Sequence, residues 1–157
     1  MKPKVYLESS LVSYLTSKPS RDIIIASRQQ ITQVWWETQR TRFTLYISPL
    51  VIQEVSAGDP DAVKKRLSQI KNISLLEVNE EVLELASGLL KNKAVPEKST
   101  GDALHLAIAA FHNTDYLLTW NYKHLANAEK RNLIVQTIQT IGYNSPIICT
   151  PDELMGE

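Results

Sequence analysis

Cysteine is almost missing from this chain, with Cys149 standing alone. One thiol excludes an intramolecular disulfide framework and fits a reducing compartment. Long apolar runs are missing as well, so no membrane span is expected. Lys4 leads directly into apolar Val5-Tyr6-Leu7, and no signal peptide is expected either. Neither sign of charge is in excess: 17 basic residues face 17 acidic ones. The chain as a whole therefore does not attract nucleic acid, and any such contact must come from local clusters such as Arg40-Thr41-Arg42 or Lys64-Lys65-Arg66. Taken alone, those clusters read as solvated helix ends. Three glycine signatures are absent: a G-x-G-x-x-G turn after the first strand, a Walker glycine-lysine loop and a G-x-S-x-G elbow. Their absence disfavours dinucleotide binding, P-loop chemistry and an α/β hydrolase. An aspartyl-phosphate enzyme would want Asp at the end of the first strand, where Glu8 stands.

What is present is an ordinary globular composition, 43% hydrophobic and 22% charged over 157 residues. That predicts one domain, residues 1–157, with a substantial core and a cytoplasmic location. Short β-branched or apolar runs alternate with helical patterns. Strands are expected at Val5–Leu7, Phe43–Ile47, Leu75–Val78, Tyr116–Thr119 and Pro146–Cys149. Between them, Ser9 and Ser10 can cap a short helix, and Ser20 is expected to cap a long one carrying Trp35 and Trp36. Trp35 reads as core and Trp36 as a surface or dimer contact. Ser48-Pro49 and Asp59-Pro60 each combine an N-cap residue with proline at the first helical position. Asn79 caps an amphipathic helix, Ser99 or Thr100 caps a strongly apolar one, and Gly142 ends the last. The alternation predicts a three-layer α/β/α sandwich with a mostly parallel central sheet. In such sheets ligands bind beyond the carboxyl ends of the strands.

Four polar residues end apolar runs: Glu8, Glu54, Asp102 and Asn121. Each has a plain alternative. Glu8 and Asp102 could serve a helix dipole, worth about 0.3–1 kcal/mol, and Glu54 could face solvent. Against this, apolar Val51, Ile52 and Val55 surround Glu54, and the helix after Asp102 is too hydrophobic to offer a solvated face. Three carboxylates gathered at one sheet edge repel one another unless one is protonated or a cation intervenes. Oxygen ligands of this kind suit Mg²⁺ or Mn²⁺. His105, on the same helix face as Asp102, reads as a hydrogen-bonded neighbour of the site rather than a ligand. His112 and His124 lack ligand-like spacing and receive no role.

Val5-Tyr6-Leu7-Glu8-Ser9-Ser10, Glu54, Gly101-Asp102-Ala103-Leu104-His105-Leu106-Ala107 and Leu117-Leu118-Thr119-Trp120-Asn121 together resemble the PIN-domain family, and more narrowly the VapC-type toxins of type II toxin–antitoxin pairs. The resemblance runs through nearly the whole chain in the expected order. It implies a Mg²⁺- or Mn²⁺-dependent ribonuclease, with RNA as substrate, an antitoxin as partner and a homodimer as assembly. By position, the acidic residues of the family fall on Glu8, Glu54 and Asp102 as catalytic residues and metal ligands. Asn121 takes the fourth ligand position, and the family's hydroxyl residues fall on Ser10 and Thr119. Glu8 and Asn121 both stand where the family usually has Asp. A catalytically weakened PIN module that binds RNA or protein is the alternative. A metal-dependent phosphatase acting on a small substrate is a more distant one.

Overall fold

A computed structural model describes residues 1–156. Five strands form one sheet in the order β3-β2-β1-β4-β5, every neighbouring pair parallel. They are β1 (Lys4–Leu7), β2 (Thr44–Ile47), β3 (Ser74–Leu75), β4 (Tyr116–Leu118) and β5 (Ile147–Cys149). β1 is central, and Val5, Tyr6 and Leu7 are fully buried, as a strand covered on both faces must be. β1 connects to β2 through α1 (Ser9–Thr16) and α2 (Ile23–Thr38), and β2 to β3 through α3 (Pro49–Val55) and α4 (Pro60–Ile70). α5 (Glu80–Lys91) and α6 (Thr100–Phe111) lead back across to β4, and α7 (Ala128–Ile141) joins β4 to β5.

The chain steps one way across the sheet from β1 to β3 and the other way afterwards. Right-handed crossovers therefore put α1–α4 on one face and α5–α7 on the other. The packing agrees: α1 lies against α2, α3 and α4, and α5 against α6 and α7. The reversal of strand order falls between β1 and β4, which is where such sheets open a crevice.

Several caps are those expected. The Ser48 hydroxyl accepts from Val51 N, Asp59 from Ala62 N and Asn79 from Val82 N, and Gly142 ends α7 at φ 117°. Others differ. Asp22, not Ser20, caps α2 by accepting from Ile24 and Ile25 N, while the Ser20 hydroxyl accepts from Asp22 N one turn earlier. Glu8 caps α1, which releases the hydroxyls of Ser9 and Ser10 for the site. Ser99 precedes α6 without capping it, because its hydroxyl meets His124 instead. β3 is two residues long rather than four: it is an edge strand, and after Leu76 N donates to Ile47 O the chain leaves the ladder.

α6 is apolar on nearly every side because it lies between the sheet and α5; Ala103 and Leu106 through Ala110 are all completely buried. Each large side chain there contributes about 1.5–3 kcal/mol relative to exposure. That burial fixes the direction of α6, and so fixes where Asp102 and His105 emerge. Trp35 stacks on Phe43 with ring centres 5.8 Å apart, in the core as expected. Trp36 is buried too, under the Arg40 guanidinium at 5.0 Å, and is not a surface residue.

Candidate active site

Glu8 leaves the end of β1 at the centre of the sheet and is 6% exposed. Its longer side chain folds back over the start of α1, where Oε2 accepts from Ser10 N at 3.1 Å. Oε1 accepts from two hydroxyls, Ser10 Oγ at 2.5 Å and Thr119 Oγ1 at 2.6 Å. Thr119 follows β4 directly, so this triangle spans the switch point between β1 and β4.

Glu54 arrives from α3 on the other side of β1. Its Oε1 lies 2.5 Å from Ser9 Oγ and 2.6 Å from His105 Nε2. Behind His105 a buried chain continues: Nδ1 is 2.7 Å from the Tyr6 hydroxyl, which is 2.8 Å from Ser48 Oγ. One proton order satisfies every member. Ser48 donates to Tyr6, Tyr6 to His105 Nδ1, and His105 Nε2 to Glu54. In that order His105 is neutral, and its remaining N–H holds a carboxylate.

Burial raises the pKa of Glu54, but the hydrogen bonds from His105 and Ser9 outweigh it and hold the carboxyl below its ordinary value. Burial also pushes the Tyr6 hydroxyl far above the ordinary tyrosine range; the Ser48 hydrogen bond opposes this, and the Glu8 and Glu54 charges add to it. The phenol therefore stays protonated as a donor.

Asp102 sits in the first turn of α6, with both oxygens engaged. Oδ1 accepts from Asn121 Nδ2 at 3.0 Å, and Oδ2 lies 2.7 Å from His124 Nδ1. Asn121 is oriented in turn. Its own N–H donates to Thr119 Oγ1 at 2.9 Å, and its side-chain oxygen accepts from His124 N at 3.1 Å. The Ser99 hydroxyl lies 3.2 Å from His124 Nδ1, the same nitrogen that meets Asp102. A nucleophilic serine triad needs the hydroxyl at one ring nitrogen and the carboxylate at the other. This trio is not one.

The four residues singled out in the sequence thus gather at one edge of the sheet, in two linked groups. Glu8, Glu54 and His105 each place a ligand-type atom within 4.8 Å of the others. Asp102 joins them through the hydrogen bonds Asn121–Thr119–Glu8. The turn before Asp102 also reaches Glu54: a Cβ at Gly101 would stand 3.3 Å from Glu54 Oε2, so the missing side chain leaves that carboxylate its space. Hydrogen-bond donors spread over all three carboxylates relieve the repulsion expected of them.

The donor set fits a hard divalent cation. One oxygen of Glu8 and one of Glu54 lie within 4.8 Å of each other and of a His105 ring nitrogen, with Asp102 outside that group. Glu8 is buried, and His105 Nε2 stands 4.0 Å from Glu8 Oε2 without bonding it. Ser10 and Thr119 hydrogen-bond Glu8, and His105 hydrogen-bonds Glu54. Tyr6, Ser9, Ser48 and His124 belong to the same network and were not singled out from sequence. Only the His124 ring, three residues after Asn121, carried a signal, through the tendency of Asn to accept from a backbone N–H further along a turn.

The model of the PIN domain family matches residues 5–130. None of the curated proteins matches the chain. Among solved structures, the fold is similar to a chain in the crystal structure of VapBC2 from Rickettsia felis bound to a DNA fragment from their promoter. The TM-score is 0.60 at 16% identity, covering 94% of this chain and 98% of that one.

Proposed function

The chain belongs to the PIN domain family, and on that premise we propose that it is a Mg²⁺- or Mn²⁺-dependent endoribonuclease, the toxin of a toxin–antitoxin pair. The observation that carries this reading is the convergence of Glu8, Glu54 and, through Asn121, Asp102 at the switch point of the sheet. Glu8, Glu54 and Asp102 would hold the ion, with Asn121 beside them. A bound divalent ion supplies an activated water and offsets charge developing on the phosphate oxygens.

The chain's own groups set the geometry. Ser10 and Thr119 fix Glu8, Ser9 and His105 fix Glu54, and Asn121 and His124 fix Asp102. Each carboxylate is thereby pre-oriented, which keeps reorganisation small when charge develops. The structurally similar VapBC2 is bound to a DNA fragment from its promoter, and an antitoxin partner for this chain is part of the proposal; a homodimer and a cytoplasmic location are proposed with it from the family resemblance alone. No described helix is long and apolar enough to cross a membrane.

A second reading, a catalytically weakened module that binds RNA or protein, draws on Asn121. Its amide donates to Asp102 where a fourth carboxylate would stand. A cleavage assay on structured RNA with and without Mn²⁺ separates the two. The nuclease reading expects Mn²⁺-dependent cleavage by the wild type and none by Asp102→Ala. Binding without cleavage at any Mn²⁺ concentration would support the weakened module.

A further inference from the structure

Beside the acidic cluster, on the α2 side, opens a cleft of about 380 Å³. Tyr122, the residue after Asn121, is 37% exposed there. The Arg28 guanidinium lies 4.6 Å from the Tyr122 ring centre and 5.8 Å from that of Trp120. Trp120 is buried and tied to α2 by a 2.7 Å bond from its indole N–H to Thr32, so this platform is rigidly backed. Ile24 and Ile31 form an apolar wall and Asp152 stands at the rim. The distance to the site is short in bonds: Trp120 N donates to Ser10 Oγ, and Ser10 donates to Glu8.

We propose that this cleft holds one unpaired nucleobase of an RNA strand whose neighbouring phosphate lies at the acidic cluster. The inference rests on the nuclease reading above and specifies how that site would seat its substrate. Single-stranded bases are taken up by stacking on aromatic rings and guanidinium planes, and the cleft presents both, the Arg28 guanidinium lying over the Tyr122 ring. No ion pair to Arg28 is found among the described residues. Its charge is therefore free to meet the anionic backbone that a base brings with it. The isoleucine wall accepts the face of a base, and Asp152 offers an acceptor to a ring or amino N–H. An apolar anchor from a protein partner would fit the wall but would leave the Arg28–Tyr122 stack unused.

The test uses the full chain in chelator, which suspends cleavage, with short fluorescent oligoadenylate and oligouridylate as probes. Tyr122→Ala is expected to weaken binding roughly 5- to 150-fold, equivalent to about 1–3 kcal/mol for one stacked base. Tyr122→Phe keeps the ring and should bind like the wild type, while Arg28→Gln should weaken binding. In a scan placing an abasic nucleotide at each position in turn, one position should bind wild type and Tyr122→Ala equally. Melting temperatures of the variants should match the wild type, since Tyr122 is a partly exposed side chain. Unchanged RNA affinity in Tyr122→Ala overturns the inference, as does a loss that persists at every abasic position. It is equally overturned if the variant loses an antitoxin but not RNA. A wild type that binds and cleaves no RNA defeats the nuclease reading itself, a result distinct from a Tyr122 variant that cleaves normally.

Discussion

Replacing Asn121 by Asp is the most informative single change at the site. The Asn121 amide donates to Asp102 across 3.0 Å. Asn121→Asp removes that donor, and a hydrogen bond to a charged group is worth about 1.5–3 kcal/mol. It also sets two carboxylates facing each other at the same separation. At an effective dielectric of 20, two unit charges about 3 Å apart repel by roughly 5 kcal/mol. Taking up one shared proton caps that penalty, because protonating an ordinary aspartate at pH 7 costs about 4 kcal/mol. The variant in chelator should therefore be less stable than the wild type by about 2–4 kcal/mol at pH 7. The deficit should shrink as the pH falls towards the carboxylate range, where the proton is bound at little cost. A divalent ion between the carboxylates reverses the sign of the interaction, so Mn²⁺ should raise the variant's melting temperature by more than it raises that of the wild type. Nuclease activity at low Mg²⁺ should rise as well. Thermal and urea denaturation at pH 7 and pH 5, with chelator and with Mn²⁺, reads all of this out. Equal stability of the two proteins in chelator at pH 7, with equal ion-induced shifts, would refute the reasoning and leave Asn121 as a turn residue.

Three further outcomes follow from the same network. Tyr6→Phe keeps the packing but leaves His105 Nδ1 and the Ser48 hydroxyl without their buried partner, so urea unfolding should show a loss of about 1–3 kcal/mol; a loss within error of zero would mean the chain is not formed. Glu54 has its folded pKa below the unfolded value, so it contributes stability above the ordinary glutamate range that is lost as pH falls through the folded value. Its side chain is 37% exposed, which keeps the contribution below about 1 kcal/mol, and Glu54→Gln should flatten the acid limb of a stability–pH curve slightly; an unchanged limb would contradict the assignment. His124→Ala frees one oxygen of Asp102 and should weaken Mn²⁺ binding by about 10- to 100-fold, as expected for a group that orients a ligand, with little change in melting temperature; unaltered Mn²⁺ affinity in calorimetry would remove His124 from the site.

Much of this architecture was legible in residue order. Ser48-Pro49, Asp59-Pro60 and Asn79 are local signals, and each marks the helix start it predicted. Glu8 and Asn121 could be placed because residues closing a parallel strand fall on the ligand-binding edge of such a sheet. The partnerships were not legible. His105 and Glu54 are 51 residues apart and Thr119 and Glu8 are 111 apart, so their pairing is a product of strand order rather than of spacing. Tyr6 reads as an ordinary strand aromatic, and nothing local shows that its hydroxyl points along a buried chain to His105. His124 has no role in the sequence pattern, and the structure corrects that: its place at Asp102 depends on the turn that Asn121 builds, through Leu125 N and Ala126 N donating to Asn121 O. Ser9 and Ser10 looked like caps, and a carboxylate one residue earlier took that position.

The account stands most directly on a divalent ion held by Glu8, Glu54 and Asp102, and calorimetric titration of the apo protein with Mn²⁺ measures that. The expected result is saturable binding by the wild type that is abolished in Asp102→Ala and Glu8→Gln, with both variants still folded by circular dichroism. Wild-type Mn²⁺ affinity in those two variants, or no binding by the wild type at all, would contradict it.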